Sequence, residues 1–532
     1  MTATGTNRGP AGGTSPPRGG AGTPAWELLA GLAGVTRAAP RRRGRALQAL
    51  LRQAVREGRL AAGTRLPASR ELATDLGVSR GLVTRAYEQL TAEGYLRSGR
   101  GAGTWVADAA RSPGGEGPAA ARGRARPAGP ARAPAADFRP GTPDLSLFPR
   151  SAWAAAHRRA LAGLAHADLG YPDPRGLPAL REALAALLAR RRGVVADPER
   201  VVVVSGVAQA LTLLGGVLRG PGTGPGRPVA VEAPGSPEHE ALFAAAGLAV
   251  ARVPVDARGL DPARLVRSGA RAAVVTPAHQ FPSGIVYGAA RRRELLAWAR
   301  AADGLLIEDD YDGDFRFDRA PVGALQGLDP QRVAYAGSVS KSLAPGLRLG
   351  WLVVPERLLE EVMARKRMMD LGHPVLDQAL FADFLAEGAY DRQLRRCQRA
   401  YRERRDALVA ALAAHCPGAS VTGVAAGLHA IVTLPARCGP PARFLERAAA
   451  AGVAVRPLED YGAKPPPDGR VRLVLGYAHL APGRLRDGVR LLARAAGYAA
   501  GQGRGAGPGR APGTGAGGPR SATKSAKRVF GE

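Results

Sequence analysis

The 532-residue chain has little cysteine and little lysine. Cys397, Cys416 and Cys438 are its whole thiol complement, too few for a disulfide scaffold and at no metal-binding spacing. A reducing compartment, the cytoplasm, is the expected home. The Gly/Pro/Thr-rich residues 1–22 lack the apolar core of a secretory signal, so none is expected. Long apolar runs are missing with one exception. Val201 to Leu218 (VVVVSGVAQALTLLGGVL) runs 18 residues without a charge, the lower bound for a membrane span. Its β-branched start switches abruptly to helix formers, which predicts a buried strand over Val201–Val204, a turn and a core helix, with no membrane crossing. Internal repeats at solenoid periods are also absent from the sequence. Lysine supplies only five of the 75 basic residues. Nearly all positive charge is therefore guanidinium, which binds oxyanions in a fork but cannot form a Schiff base.

The charge that is present is uneven. The formal net charge is +30. Residues 1–45 carry seven Arg and one Glu, 109–136 five Arg and one Glu, and 501–532 six Lys/Arg and one Glu. Residues 46–108 carry nine Arg against six acids, and residues 137–500 hold only +12 of the total. Such asymmetry suggests nucleic-acid contact by the ends of the chain, although Arg-rich tails can also be merely solvated. Composition separates a basic segment expected to be disordered (1–24), a first folded domain (25–108), an Ala/Pro/Gly/Arg linker (109–136), a large domain (137–500) and a second tail expected to be disordered (501–532). An apolar content of 45% excludes a wholly disordered protein.

In the first domain Leu47, Leu50, Leu51 and Val55 have helical spacing. The segment Gly63-Thr-Arg-Leu-Pro67 ends that helix, and Ser69 is expected to cap a short second one reaching Leu76. Gly77-Val78 turns the chain, and Ser79 opens a third helix with Leu82, Val83, Tyr87 and Leu90 on one face. Helix, Gly turn, helix is the helix-turn-helix pattern, though ordinary bundles share it. In that geometry Ser79, Arg80, Gly81 and Thr84 enter the major groove, where Arg80 can fork onto a guanine edge. The following YLRSGRGAGTWV reads as a hairpin wing with Arg100 at its tip. The stretch RLPASRELATDLGVSRGLVTRAYEQLTAEGYLRSGRGAGTWV closely resembles the winged helix-turn-helix of GntR regulators. The resemblance implies DNA contacts from Arg70, Ser79, Arg80, Thr84, Arg100 and Gly101. Gly81 stands where that family often has a small hydroxylated residue.

The large domain alternates short apolar runs (Val201–Val204, Val229–Val231, Ala272–Val275, Leu305–Ile307, Val333–Ala336) with helical stretches, the pattern of an α/β sheet covered on both faces. It holds three lysines. Lys341 follows a buried strand in YAGSVSKSLAPGLRLGW, with Ser338, Ser340, Ser342 and Arg348 nearby, a set able to hold a phosphate beside a lysine-bound aldehyde, although a surface loop lysine would read the same way. Lys366, in MARKRMM, is expected to be solvated, and Lys464 lies in a Pro-rich loop. In LLIEDDYDGDF the carboxylates Asp310, Asp312 and Asp314 have the alternation of a cation loop but neither its Gly nor its distal Glu. Alternatively, Asp309 pairs with a pyridine nitrogen and Tyr311 with the ring hydroxyl. Gly206-Val-Ala-Gln209, at a strand-to-helix turn, offers backbone N–H groups to phosphate, or is simply a turn.

The order of these elements resembles the fold-type-I aminotransferases, and with the winged domain the chain resembles the MocR-type subfamily of GntR regulators over about residues 46–497. Matching stretches include FRPGTPDLSLFPRSAW, LGYPDPRGLPALREALA, TPAHQFPSG, IEDDYDGDFRF, GSVSKSLAPGLRLGW and LVLGYAHL. The resemblance implies pyridoxal 5′-phosphate as cofactor. Lys341 would bind its aldehyde, Asp309 its pyridine nitrogen and Tyr311 its 3-hydroxyl. Ser338, Arg348 and the backbone at Val207 and Ala208 would hold its phosphate. Tyr171 would reach the cofactor of a neighbouring subunit, implying a homodimer. His279 and Gln280 would flank the ring. Arg472, with Arg470 as rival, would take the carboxylate of an amine or amino acid effector. One departure stands out: Pro234-Gly-Ser-Pro237 carries Ser236 where the family has an aromatic stacked on the ring, an interaction worth about 0.5–1.5 kcal/mol beyond area burial. Glu238 and His239 follow where an effector-binding Arg is often found. Three functions fit: a regulator of operator DNA that senses pyridoxal phosphate or an amine, a working aminotransferase with a DNA-binding appendage, and a DNA-binding scaffold that has lost its cofactor.

Overall fold

The computed structural model describes residues 32–99, 103–108, 134–220, 227–317 and 322–498. Arg100 and Gly101, residues 1–24, most of 109–136 and all of 501–532 lie outside the described residues. The chain divides into two compact units on either side of the Ala131–Arg132 bond.

The first unit contains α1 (Leu32–Arg37), α2 (Arg43–Arg56), β1 (Arg65–Leu66), α3 (Ser69–Asp75), α4 (Arg80–Ala92), β2 (Leu96–Gly99) and β3 (Gly103–Val106). Leu47, Leu51 and Val55 of α2 meet Leu72 of α3 and Val83, Tyr87 and Leu90 of α4 in one core, which Leu96 and Val106 close from the wing. Each of these side chains is at least nine-tenths buried, a contribution of about 1.5–3 kcal/mol apiece for the larger aliphatics. Gly77 makes the turn between α3 and α4 at φ +59°, a left-handed conformation that disfavours any side chain. The hairpin pairs Leu96 with Val106 and Gly99 with Gly103.

Two details differ from the sequence expectation. Ser69 is the first residue of α3; Ala68 is the cap, and its N–H is satisfied by the Glu71 carboxylate at 3.2 Å. The segment before α3 also contributes a strand, β1, which joins β3 with Arg65 opposite Trp105. A two-residue strand has no alternation to read, so only its pairing reveals it.

The second unit is built on an eight-stranded mixed sheet. Its order is Val201–Val204, Gly350–Val353, Val333–Ser338, Leu305–Asp309, Ala272–Val275, Val229–Ala233, Val250–Asp256 and Gly259–Leu260. Gly350–Val353 runs antiparallel to both neighbours, and the strands from Val333 to Val250 in this order run parallel. Val201 and Val203 pack into one core cluster, Val202 and Val204 into another. That two-sided burial explains why the strand reads as four consecutive valines, and why 201–218 is uncharged. Helix Val207–Arg219 follows the strand as expected, and no described helix is long and apolar enough to cross a membrane.

A smaller four-stranded sheet (Ser420–Thr422, His429–Thr433, Arg472–Gly476, Arg456–Pro457) carries helices Pro441–Ala450 and Pro482–Ala495 after it and within it in sequence. Strand Ala136–Asp137, at the end of the expected linker, pairs with Val453–Ala454, so this unit begins before residue 137. Lys366 is a correction. It is fully buried, and its ammonium donates to Asp370 at 2.7 Å. The i,i+4 spacing supplies the partner that makes burial of a lysine tolerable.

Candidate functional site

The carboxyl ends of the parallel strands converge on one edge of the large sheet, where α/β sheets bind ligands. Strand Leu305–Asp309 ends on Asp309, Val333–Ser338 ends on Ser338, and the turn after Ser338 carries Lys341. A cavity of about 430 Å³ is lined by Lys341, Asp309, Tyr311, Ser236, His239 and Arg456, among others. The Lys341 ammonium donates to the Gly141 carbonyl at 2.6 Å, and the Tyr401 hydroxyl pins the Lys341 carbonyl at 3.2 Å. Burial pushes the Lys341 pKa down, against the pull of Asp309, Asp312 and Glu238. A lowered pKa leaves more free amine, the nucleophilic form.

Asp309 is nearly buried. One carboxylate oxygen meets His239 Nε2 at 2.9 Å, while Oδ1 has no partner. The 70 residues between His239 and Asp309 hide this pairing from the sequence. Burial lowers the His239 pKa, but the hydrogen bond and charge of Asp309, aided by Glu232 and Glu238, override it and hold the pKa above the ordinary value. A histidine whose folded pKa is raised stabilises the fold fully below its unfolded pKa and loses that contribution as pH rises through the raised value. His239→Asn is therefore expected to destabilise the protein more at pH 6 than at pH 9, read as the difference in denaturant midpoint from the parent at each pH.

Tyr311 packs beside a buried dyad. His279 Nδ1 lies 3.0 Å from the Tyr311 hydroxyl and 2.8 Å from Asp312 Oδ2. Burial drives His429 down to about 3, so it stays neutral, with Nε2–H given to the Pro282 carbonyl at 3.0 Å. His279, Asp312 and His429 come close enough to hold a metal; hydrogen bonds engage His279 Nδ1 with Tyr311 and Asp312 and His429 Nε2 with Pro282, while His279 Nε2 has no partner among the described residues. The alternation Asp310, Asp312, Asp314 does not converge as a cation loop. Asp310 pairs with Arg192 at 2.6 Å, Asp314 with Arg191 at 2.9 Å, and Asp312 with His279. Gln280 turns away to Glu232, which is fully buried among Thr276, Tyr287 and Gln280.

At the neighbouring turn Gly206 has φ +86° and precedes helix Val207–Arg219, whose first N–H groups, at Val207 and Ala208, have no helical acceptor. The Arg348 guanidinium bonds the Ser205 carbonyl, and a Cβ on Gly206 would meet it at 3.1 Å. Gly350, paired with both Ser338 and Val204, lies between this turn and Ser338, and a Cβ there would fall 2.9 Å from Gly206 Cα. Arg348, Ser338 and the helix N-terminus thus share one corner built from glycines. Behind it Gln209 links Ser205 to Asp370 and so to Lys366.

Tyr171 and Arg472 do not line the Lys341 cavity, which for Tyr171, expected at a neighbouring subunit's cofactor, is no contradiction. Tyr171 is 90% exposed and lines a separate surface cavity of about 860 Å³. Arg472 is held by Glu459 at 2.6 Å and by the Lys464 carbonyl, and it does not line the Lys341 cavity. Arg470 pairs with Asp468 at 2.9 Å. The arginine that faces the cavity from the small sheet is Arg456. Its position could not be read from spacing, because the strand carrying it has two residues.

In the first unit Arg80 and Thr84, on the first turns of α4, line a groove of about 1250 Å³ that the wing residues Ser98, Gly99 and Gly103 close. Arg80 and Arg70 are exposed and enter no ion pair among the described residues, whereas Arg52 is spent on Glu93 and Arg59 on Glu57. The Ser79 hydroxyl makes no bond back to the helix it precedes.

Residues 44–106 match the family of bacterial regulatory proteins of the gntR type, and residues 141–486 match aminotransferase class I and II. The probable rhizopine catabolism regulatory protein MocR of Rhizobium meliloti is 36% identical over 85% of this chain and 93% of its own length. The chain belongs to the MocR-type subfamily of GntR regulators. Another member, the pyridoxine biosynthesis regulator PdxR of Corynebacterium glutamicum, is 36% identical over 72% of this chain and 81% of its own. Among solved structures, the multiple substrate aminotransferase of Thermococcus profundus covers 68% of this MocR-type chain and 91% of its own, with 28% identity and a TM-score of 0.61. The large unit therefore has the fold-type-I aminotransferase fold. In this MocR-type chain Ser236 caps helix Pro237–Ala245 and donates to Glu238 at 2.7 Å. Apart from His239 in that helix, the aromatic rings that line the cavity, Phe281, Tyr311, His429 and Tyr461, come from other segments.

Proposed function

We propose that this protein is a cytoplasmic, homodimeric transcription regulator. Its winged unit binds double-stranded operator DNA, and its aminotransferase-like unit binds pyridoxal 5′-phosphate and an amine or amino acid effector. The observation that carries the reading is the unpartnered Oδ1 of Asp309 in the same cavity as Lys341. A buried carboxylate oxygen without a donor costs about 1–3 kcal/mol, and a protonated pyridine nitrogen is the donor that removes this cost. Bound pyridoxal phosphate supplies an electron-withdrawing ring that reacts with amines. Lys341 would hold its aldehyde carbon, Tyr311 its ring hydroxyl, and Ser338, Arg348, Val207 N–H and Ala208 N–H its phosphate.

DNA contact falls to Arg70, Ser79, Arg80 and Thr84, with Arg100 and Gly101 on the wing. The uncommitted charge of Arg80 at the α4 groove supports this choice. Dimer formation is supported by exposed apolar side chains at Leu169, Tyr171, Met368, Met369 and Leu371, of which Tyr171 and Leu371 line the same cavity. An unpaired patch of this kind marks an interface. An effector regulates by binding one arrangement of the protein more tightly than another, with a coupling of about 1–3 kcal/mol.

Retention of Lys341 and Asp309 also permits a transamination activity. The purified protein is expected to take up pyridoxal phosphate with a new visible absorbance band, and to show no steady turnover of an amino donor and a keto acid. Steady turnover would make it an enzyme with a DNA-binding appendage, and a colourless protein that takes up no cofactor would make it a scaffold.

A further inference from the structure

Burying an ammonium is costly unless it is paired, and Lys366 is fully buried. Its ammonium donates to Asp370 Oδ2 at 2.7 Å, and the same oxygen accepts from Gln209 Nε2 at 2.6 Å. The other oxygen, Oδ1, accepts the Gly372 N–H at 2.9 Å. Burial raises the Asp370 pKa, but Lys366, Gln209 and the Gly372 N–H outweigh that and hold the carboxyl below its ordinary value. An ionised carboxylate only accepts hydrogen bonds. It therefore fixes the Gln209 amide: the NH2 end points to Asp370, and Oε1 points away. That oxygen accepts the Ser205 N–H at 2.7 Å. Gln209 is the third residue of helix Val207–Arg219, and Ser205 immediately precedes the cap, Gly206. The side chain thus reaches back across the first turn and holds the backbone that presents the Val207 and Ala208 N–H groups. The Arg348 guanidinium holds the Ser205 carbonyl. Both backbone polar groups of Ser205 are committed, one to Arg348 and one to a chain of bonds that ends on Lys366.

We infer that Lys366, Asp370 and Gln209 form a positioning relay that sets the selectivity of the protein for phosphorylated over unphosphorylated pyridoxal, a role that rests on the functional reading above. None of the three lines the Lys341 cavity. They act through the turn at Gly206 and not by contact with the ring. Without the Asp370 charge the Gln209 amide is free to rotate, and the Ser205 N–H loses its acceptor. Gly206, at φ +86°, has the backbone freedom to relax once that bond is gone. The first N–H groups of the helix then no longer converge on one phosphate. Lys366 has a second part in the relay. Its ammonium cancels the Asp370 charge, which unpaired would repel a phosphate at the same turn. The aldehyde end of the cofactor is independent of the relay. Asp309 ends strand Leu305–Asp309 and Lys341 follows strand Val333–Ser338, and neither bonds to a relay residue.

The test titrates full-length protein with pyridoxal 5′-phosphate and, separately, with pyridoxal, and reads the half-saturation of the visible band that each forms. Asp370→Asn is expected to weaken pyridoxal phosphate by about tenfold, the scale of a lost helix cap, and to leave pyridoxal unchanged. Lys366→Met is expected to do the same, and so is Gln209→Met, which removes no charge and guards against a variant that fails to fold. The double variant Asp370→Asn, Gln209→Met is expected to lose no more than either single one, because both break one chain of bonds. Equal weakening of the two ligands would make these residues merely structural and overturn the relay. So would an unchanged affinity for pyridoxal phosphate in Asp370→Asn and Gln209→Met, or losses that add in the double variant. Parent protein that forms a band with neither ligand overturns the functional reading itself, a distinguishable result.

Discussion

Lys341→Ala is expected to remove the visible absorbance band that forms on adding pyridoxal phosphate, and to weaken retention of the cofactor on gel filtration. The effect is large because nothing nearby can substitute. Of the other lysines in the large unit, Lys366 is fully buried with its ammonium tied to Asp370 at 2.7 Å, and Lys464 is exposed on a loop outside the cavity. Arginines line the cavity, but a guanidinium does not form a Schiff base at neutral pH. The phosphate corner at Gly206, Ser338 and Arg348 would remain, so residual binding through the phosphate, without the band, is the expected outcome. Loss of a covalent bond leaves only those contacts, and the affinity should fall by at least about tenfold. A band retained at full intensity would remove Lys341 from its assigned role. Operator affinity without cofactor or effector serves as a control for folding, because the winged unit has a core of its own.

Arg80→Ala is the second large expectation: operator-specific binding is lost while the cofactor band is unchanged. Residues 46–108 carry a net charge of only +3, so discrimination must come from a few well-placed groups. Arg80 is the first residue of α4, exposed and free of ion pairs among the described residues, and it lines the groove between α4 and the wing. A forked arginine–guanine contact discriminates by about 1–3 kcal/mol, roughly 5- to 150-fold in affinity. The flanks, linker and tail carry +15 together, enough to keep a sequence-independent attachment that fades with salt. Gel-shift titration at raised salt against operator and scrambled DNA separates the two. Unchanged operator affinity would take Arg80 out of the interface.

The sequence made legible what is local. Four valines followed by Ser-Gly-Val announced a strand end, a turn and a helix N-terminus, and LLIED announced a strand that delivers a carboxylate to the sheet edge. Lys341 was conspicuous because lysine is scarce. What stayed hidden depends on pairing across distance. His239 reaches Asp309 only because helix Pro237–Ala245 packs beside the strand end. Arg456 faces the cavity, while Arg472, on the neighbouring strand, is engaged by Glu459. Lys366 reads as solvated until Asp370, one helical turn on and half-buried, is seen to hold its ammonium. Charge patterns along a helix do not say which face is covered, and that is decided by neighbours remote in sequence.

The central claim is that occupancy of the Lys341 cavity and grip on DNA are coupled. The direct measurement is operator affinity of the cofactor-loaded protein, titrated with amino acids and amines while cofactor absorbance is recorded in the same sample. The account predicts that absorbance and operator affinity change together with one midpoint, by a factor of about 5–150 in affinity, and that Lys341→Ala abolishes both changes. An absorbance change that runs to saturation while operator affinity stays constant would contradict it.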